Sequence, residues 1–351
     1  VDVQAGAATY MNRWVQTKRL HKDRKSGKVG RPMDYMGTDG VSLGAANTAL
    51  VFHAQKLLAL YETDRPYIIS SPSLETVGQL TYGGALDHNM TAHPKVCPET
   101  GELIFFGYSL MEPKVTYGVA SSKGERTCRL EVPTRGGRPV MMHDMAITRK
   151  YSILMEFPLY FDLKQAVKGN MPFAMDGSLP SMFAIFPRHA KSADEIRWFE
   201  AETAMAFHCA NAWEDGSKVK VVGCPTKRFS FEYQKSSPSR LYEWCFDLET
   251  GLTTERELDQ TWVEFPVIHP KALGKRSRYV FASRFTGGSP PFHSIDGCIK
   301  FDSETGTVQH HSFLNGRWGG ECLFIPRASA INEDDGYLIT YTFNPKDTST
   351  E

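Results

Sequence analysis

The chain has 351 residues, with 40 Lys and Arg against 40 Asp and Glu for zero formal charge, and 41% of its residues are hydrophobic. A neutral balance offers no basic face for nucleic-acid phosphates, and no run approaches the roughly 18 consecutive apolar residues of a membrane-spanning helix. The apolar content excludes a disordered chain and predicts a soluble globular fold. The seven cysteines are widely spaced, odd in number and never C-x-x-C, which predicts reduced thiols in an intracellular compartment.

Along the chain, Asn12 to Lys28 carries a charged surface-helix pattern. Glu99-Thr100-Gly101 then separates Lys95-Val96-Cys97 from Leu103-Ile104-Phe105-Phe106-Gly107-Tyr108, and Asp162 to Val167 offers a turn or two of helix. Glu214-Asp215-Gly216 leads into Val219-Lys220-Val221-Val222, and Glu249-Thr250-Gly251 follows Leu241 to Phe246. Glu304-Thr305-Gly306 lies between Cys298-Ile299-Lys300-Phe301 and Val308 to Phe313, and Asp334-Asp335-Gly336 precedes Tyr337 to Phe343. Aromatic or β-branched runs joined through an acidic residue and Gly are hairpin signatures. No linker or composition break divides the chain, so it reads as one continuous all-β domain over residues 1–351. Radial repetition of short antiparallel sheets, a propeller, absorbs such a length.

Three of the eleven histidines share a local setting, a small or apolar residue before and an apolar-to-polar switch after: His93, His143 and His208. A single histidine among apolar neighbours is most often a core residue. Separations of 50 and 65 residues are too long for one local metal motif. They suit one ligand from each of several blades meeting on an axis, where imidazoles with open positions fit iron or zinc.

The strings Thr91-Ala92-His93-Pro94-Lys95, Met142-His143-Asp144-Met145-Ala146-Ile147-Thr148 and Phe207-His208-Cys209-Ala210-Asn211-Ala212-Trp213-Glu214 resemble three iron-ligand motifs of the carotenoid cleavage oxygenase family. That family also includes stilbene-cleaving dioxygenases and a retinoid isomerase. Ala46 to Leu50, Leu57 to Glu62, Ile196 to Phe199 and Gly336 to Leu338 extend the similarity over nearly the whole chain, in the family's order. The resemblance implies a seven-bladed β-propeller with a few short helices and loops capping one face. It also implies Fe(II) on the central axis, held by four histidines of which His93, His143 and His208 match the first three. It places carboxylates that orient the histidines at Glu62, Glu264 and Glu321, and implies no catalytic residue beyond the metal ligands.

The activity implied is delivery of both atoms of O2 across a conjugated C=C bond of a carotenoid or apocarotenoid, giving two carbonyl products. The alternatives are stilbenoid cleavage within the same family and a non-catalytic propeller that binds a partner. In the stilbenoid-cleaving branch a lysine commonly precedes the glutamate matching Glu62; here that residue is Tyr61, which favours carotenoids. A carotenoid comes from a membrane, so peripheral membrane contact is expected, with Leu159 to Phe161 and Met171 to Met175 as the candidate patch, and the compartment expected is plastid or cytoplasm. The sequence departs from the family in one respect. No histidine follows His311, where the fourth ligand should lie, and Val1 falls inside what resembles the first blade, so a chain lacking both ends is expected. His310 and His311 precede the Glu321 motif and read as surface residues, His269 reads as an exposed loop residue, and the sequon at Asn89 reads as a chance match.

Overall fold

The computed structural model describes residues 6, 9–30, 32–35, 41–162, 164–165, 171–232, 235–286 and 294–346. Four strands in sequence order, each antiparallel to the next, recur five times. Blade I comprises Ala49–His53, Lys56–Leu60, Tyr67–Ile69 and Thr76–Gln79, and blade II comprises Lys95–Val96, Leu103–Tyr108, Lys114–Ala120 and Arg126–Pro133. Blade III is built from Met145–Ile147, Tyr151–Glu156, Ser181–Pro187 and Arg197–Ala201. Blade IV is Met205–Asp215, Lys218–Thr226, Tyr242–Asp247 and Thr253–Glu257, and blade V is Val263–Val267, Tyr279–Phe285, Ile295–Asp302 and Thr307–Ser312. The turns follow the acidic-Gly signal: Gly101 and Gly251 take φ of 71° and 77°, a left-handed conformation that only Gly adopts at little cost. Gly336 instead opens the strand Gly336–Ile339, which pairs with Leu323–Pro326, and the run breaks before Thr342–Phe343, which pairs with Trp318–Gly319.

Burial follows position within a blade. In blade II all of Leu103–Tyr108 is buried, whereas the outermost strand, Arg126–Pro133, alternates between buried and exposed. A strand covered on both faces reads as a continuous apolar run, and one covered on a single face alternates. The largest core joins blades II, III and IV through Tyr117, Ile153, Phe183, Trp244 and Phe246, and a second joins blades IV and V through Val222, Leu241, Val280 and Ile299.

Two expectations need correction. The described residues form five blades rather than seven. Blade III accommodates an inserted hairpin, Leu159–Phe161 with Phe173–Met175, and the described residues after Ser312 form two short strand pairs in place of a four-stranded blade. The predicted helix is shorter, Lys18–Ser26, because Thr17 caps it by accepting from the Leu20 N–H and Gln16 N–H is tied to Thr76 of blade I. Of Asp162 to Val167, residues 163, 166 and 167 lie outside the described residues. Among the described residues no helix is long and apolar enough to cross a membrane.

Candidate metal centre

The first strands of blades II, III, IV and V pack against one another. That convergence places His93, just before Lys95–Val96, His143, just before Met145–Ile147, and His208, inside Met205–Asp215, at one point. One ring nitrogen from each lies within 4.8 Å of those of the other two, and the ring centroids are 4.5 to 5.2 Å apart.

Two rings are held from behind by carboxylates. His143 Nδ1 bonds Glu62 Oε2 at 2.5 Å, and His208 Nδ1 bonds Glu264 Oε2 at 2.7 Å. A carboxylate on Nδ1 fixes the tautomer that leaves the Nε2 lone pair free for a metal. Each carboxylate is itself anchored: Tyr108 Oη donates to Glu62 Oε1, and Phe265 N–H donates to Glu264 Oε2 at 2.6 Å. Phe265 adopts a φ of 56°, and the register of its strand shifts beside it. Backbone strain of this kind persists where the surroundings demand it. Among the described residues no carboxylate bonds the His93 ring, and its Nε2 is buried without a partner.

Protonation follows from these surroundings. Burial pushes His93 down to about 3, against the upward pull of Asp144. Burial also acts to lower His208, but the Glu264 carboxylate outweighs it and holds that imidazole above its ordinary value. Phe207 stands 5.1 Å from the His143 ring and Phe265 stands 5.0 Å from the His208 ring, so apolar walls flank the cluster. A buried, unpartnered nitrogen converging with two oriented ones fits a metal ion.

Glu321 does not join the cluster. It is exposed in the loop between Trp318–Gly319 and Leu323–Pro326, and no hydrogen bond to a histidine forms among the described residues, although its charge reaches His208. Glu264 of blade V meets the histidine of the neighbouring blade IV, and Glu62, just after the second strand of blade I, reaches His143 at the entry to blade III. His310 and His311 are exposed on the outermost strand of blade V. His269 is half-buried, not exposed, and its Nδ1 accepts from the Lys271 N–H to cap a short turn. Asn89 is buried and donates to Tyr108 O, a position no glycan could reach. Sequence reasoning missed Tyr108, Lys95 and the side chain of Asp144. The last two lie inside the histidine motifs, but only their proximity to histidines hinted at a role.

The family model described as "RPE65: Retinal pigment epithelial membrane protein" matches residues 1–351. The chain belongs to the RPE65 family. Carotenoid 9,10(9',10')-cleavage dioxygenase 1 of Pisum sativum is 36% identical, over 97% of this chain and 70% of its own length. The chloroplastic 9-cis-epoxycarotenoid dioxygenase NCED1 of Oryza sativa subsp. japonica is 31% identical over 94% of this chain and 57% of its own. Among solved structures, the Pseudomonas brassicacearum lignostilbene dioxygenase superposes with a TM-score of 0.86 at 26% identity, covering 97% of this chain and 76% of that one. A Synechocystis apocarotenoid oxygenase variant gives 0.81 at 22% identity, over 94% and 75%, a likeness of fold alone.

Proposed function

We propose that this RPE65-family chain is a non-haem Fe(II) dioxygenase that cleaves a conjugated C=C bond of a carotenoid or apocarotenoid into two carbonyl products. The observation that carries the reading is the cluster of three histidines, two with Nδ1 held by glutamate and the third buried with Nε2 unpartnered. Carotenoid cleavage dioxygenases among the relatives supply the substrate class. Iron, when bound, supplies the redox chemistry by which O2 reaches the double bond.

The chain's own residues do the rest. Glu62 and Glu264 keep protons on Nδ1 so that each Nε2 faces the metal. Burial keeps His93 neutral and able to ligate at any physiological pH. Phe207 and Phe265 exclude water from the reacting bond. From Phe207 an aromatic series leads outward, 5.3 Å to Phe229 and 5.0 Å from there to Phe231. It opens on a cavity of about 500 Å³ whose apolar wall, with Met171, Phe173, Met175, Phe229 and Phe231, is interrupted by Gln165, Ser230 and Glu232. That wall would receive the hydrocarbon part of an elongated polyene, and the half-exposed Met171 is where a membrane-borne substrate would enter. The plastid or cytoplasm is the corresponding compartment.

A second reading, stilbenoid cleavage, is favoured by the likeness to lignostilbene dioxygenase. Tyr61 beside Glu62, where that branch carries lysine, argues for the carotenoid. We also propose that residues 1–351 form a single propeller domain, a reading supported by the cores that join blade II to blades III and IV and blade IV to blade V.

The test is iron content after anaerobic purification, together with aldehyde formation from an apocarotenal and from a hydroxystilbene under O2. Retained iron and apocarotenal cleavage are expected, with both lost in His143→Ala. Absence of iron together with absence of product from either substrate would refute the enzyme reading in favour of a binding propeller.

A further inference from the structure

The blades of a propeller are separate sheets that meet through their side chains, so residues on neighbouring blades need ties of their own to hold a fixed spacing. One buried group supplies such ties beside the three histidines. Asp144 directly follows His143 at the entry to blade III, and its side chain is only 2% exposed. Oδ1 accepts from Lys95 Nζ at 2.7 Å and from the adjacent Met145 N–H at 2.7 Å. Oδ2 accepts from the Cys209 N–H at 2.8 Å. Lys95 stands two residues after His93, and Cys209 one residue after His208. The strand register shifts on both sides of Cys209, and its N–H goes to the carboxylate. Thr91 adds a smaller tie, accepting from the His93 N–H at 3.1 Å and donating to the His143 carbonyl at 3.0 Å.

We infer that Asp144 is the positioning residue of the metal centre: one carboxylate, bonded next to each of the three histidines on three blades, sets their mutual spacing. The inference rests on the reading of His93, His143 and His208 as metal ligands. A buried carboxylate without a partner would be costly, and the ion pair with Lys95 offsets that cost and leaves no net charge beside the histidines. A hydrophobic pair could fill the same space, but it could not accept from Met145 and Cys209 at once. The group touches neither substrate nor metal; it acts through the histidines.

The experiment separates positioning from a merely structural ion pair. The metal-free chain is titrated anaerobically with Co2+, and affinity and the visible d–d bands are read for the wild type and two double variants, Asp144→Ala/Lys95→Met and Asp144→Asn/Lys95→Met. Removing Lys95 as well prevents a stranded ammonium from repelling the metal and imitating the effect. The alanine variant is expected to bind Co2+ about ten- to a hundredfold more weakly with altered bands, and the asparagine variant, which keeps an acceptor for the Cys209 N–H, to recover most of that loss. An alanine variant with wild-type affinity and bands would overturn the inference, whatever its Tm.

Asp144→Glu is a third variant, needed if the alanine chain does not fold. It keeps the charge but moves the oxygens by one methylene, so shifted bands support positioning, and bands and affinity equal to wild type contradict it. A wild-type chain that takes up no Co2+ refutes the metal reading and this inference together. Wild-type uptake with unchanged variants refutes only the role of Asp144.

Discussion

Replacing Glu264 by Gln isolates what its charge does. The amide is nearly isosteric, so packing against Phe265 is kept. The carboxylate accepts from His208 Nδ1 at 2.7 Å and from the Phe265 N–H at 2.6 Å, both through Oε2. A hydrogen bond to a charged group is worth about 1.5–3 kcal/mol, against about 0.5–1.5 kcal/mol for a neutral one. Both side chains are largely withdrawn from solvent, at 17% and 14% exposure, so screening removes little of the difference. The net loss at His208 is therefore about 1.5 kcal/mol. A further share follows if the amide turns its NH2 toward the ring and leaves the tautomer unfixed. That corresponds to metal binding weakened about tenfold in the first case and up to a hundredfold in the second. Anaerobic Fe2+ titration against a competing chelator reads the change directly. Binding equal to wild type in a correctly folded Glu264→Gln chain would refute the argument that this glutamate orients a ligand.

Tyr108→Phe removes the donor that anchors Glu62; Fe2+ affinity should fall, by less than the tenfold or more lost with a directly bonded carboxylate, in the same titration. Phe183→Ala empties a fully buried site where ring centroids of Trp244 and Phe246 lie 5.3 and 4.7 Å away. Urea denaturation should register a loss of about 3–5 kcal/mol. Arg278, bonded to Asp302 through two nitrogens at 3.0 and 2.7 Å, holds that carboxyl well below its ordinary value of 3.8. A depressed carboxyl contributes stability that is present above its unfolded pKa and lost as pH falls through the folded one. The Tm deficit of Asp302→Asn should accordingly be largest near neutrality and shrink only below pH 3.8, as followed by thermal melts across pH.

The repeated acidic-Gly turns made the all-β character readable, because an aromatic or β-branched run on either side of a left-handed Gly has few other ways to fold. The last of them misled: Gly336 opens a strand, and its run is shared between two pairings that depend on partners far away in sequence. The number of blades was not readable either, since local patterning does not tell a blade strand from the inserted hairpin Leu159–Phe161 with Phe173–Met175.

His93, His143 and His208 stood out by local setting and by motif, and the residue types alone set what they can do, since neutral imidazoles in an apolar surround suit a metal. Which carboxylate serves which ring was decided by the packing of blades. Glu62 reaches His143 across 81 residues, and Glu264 reaches His208 across 56. Asp144 shows the division most plainly. Its place beside His143 is a property of the sequence. Its bonds to Lys95 and to the Cys209 N–H exist only because three first strands converge, and contacts between separate sheets are set by three-dimensional packing rather than by any local period in the chain.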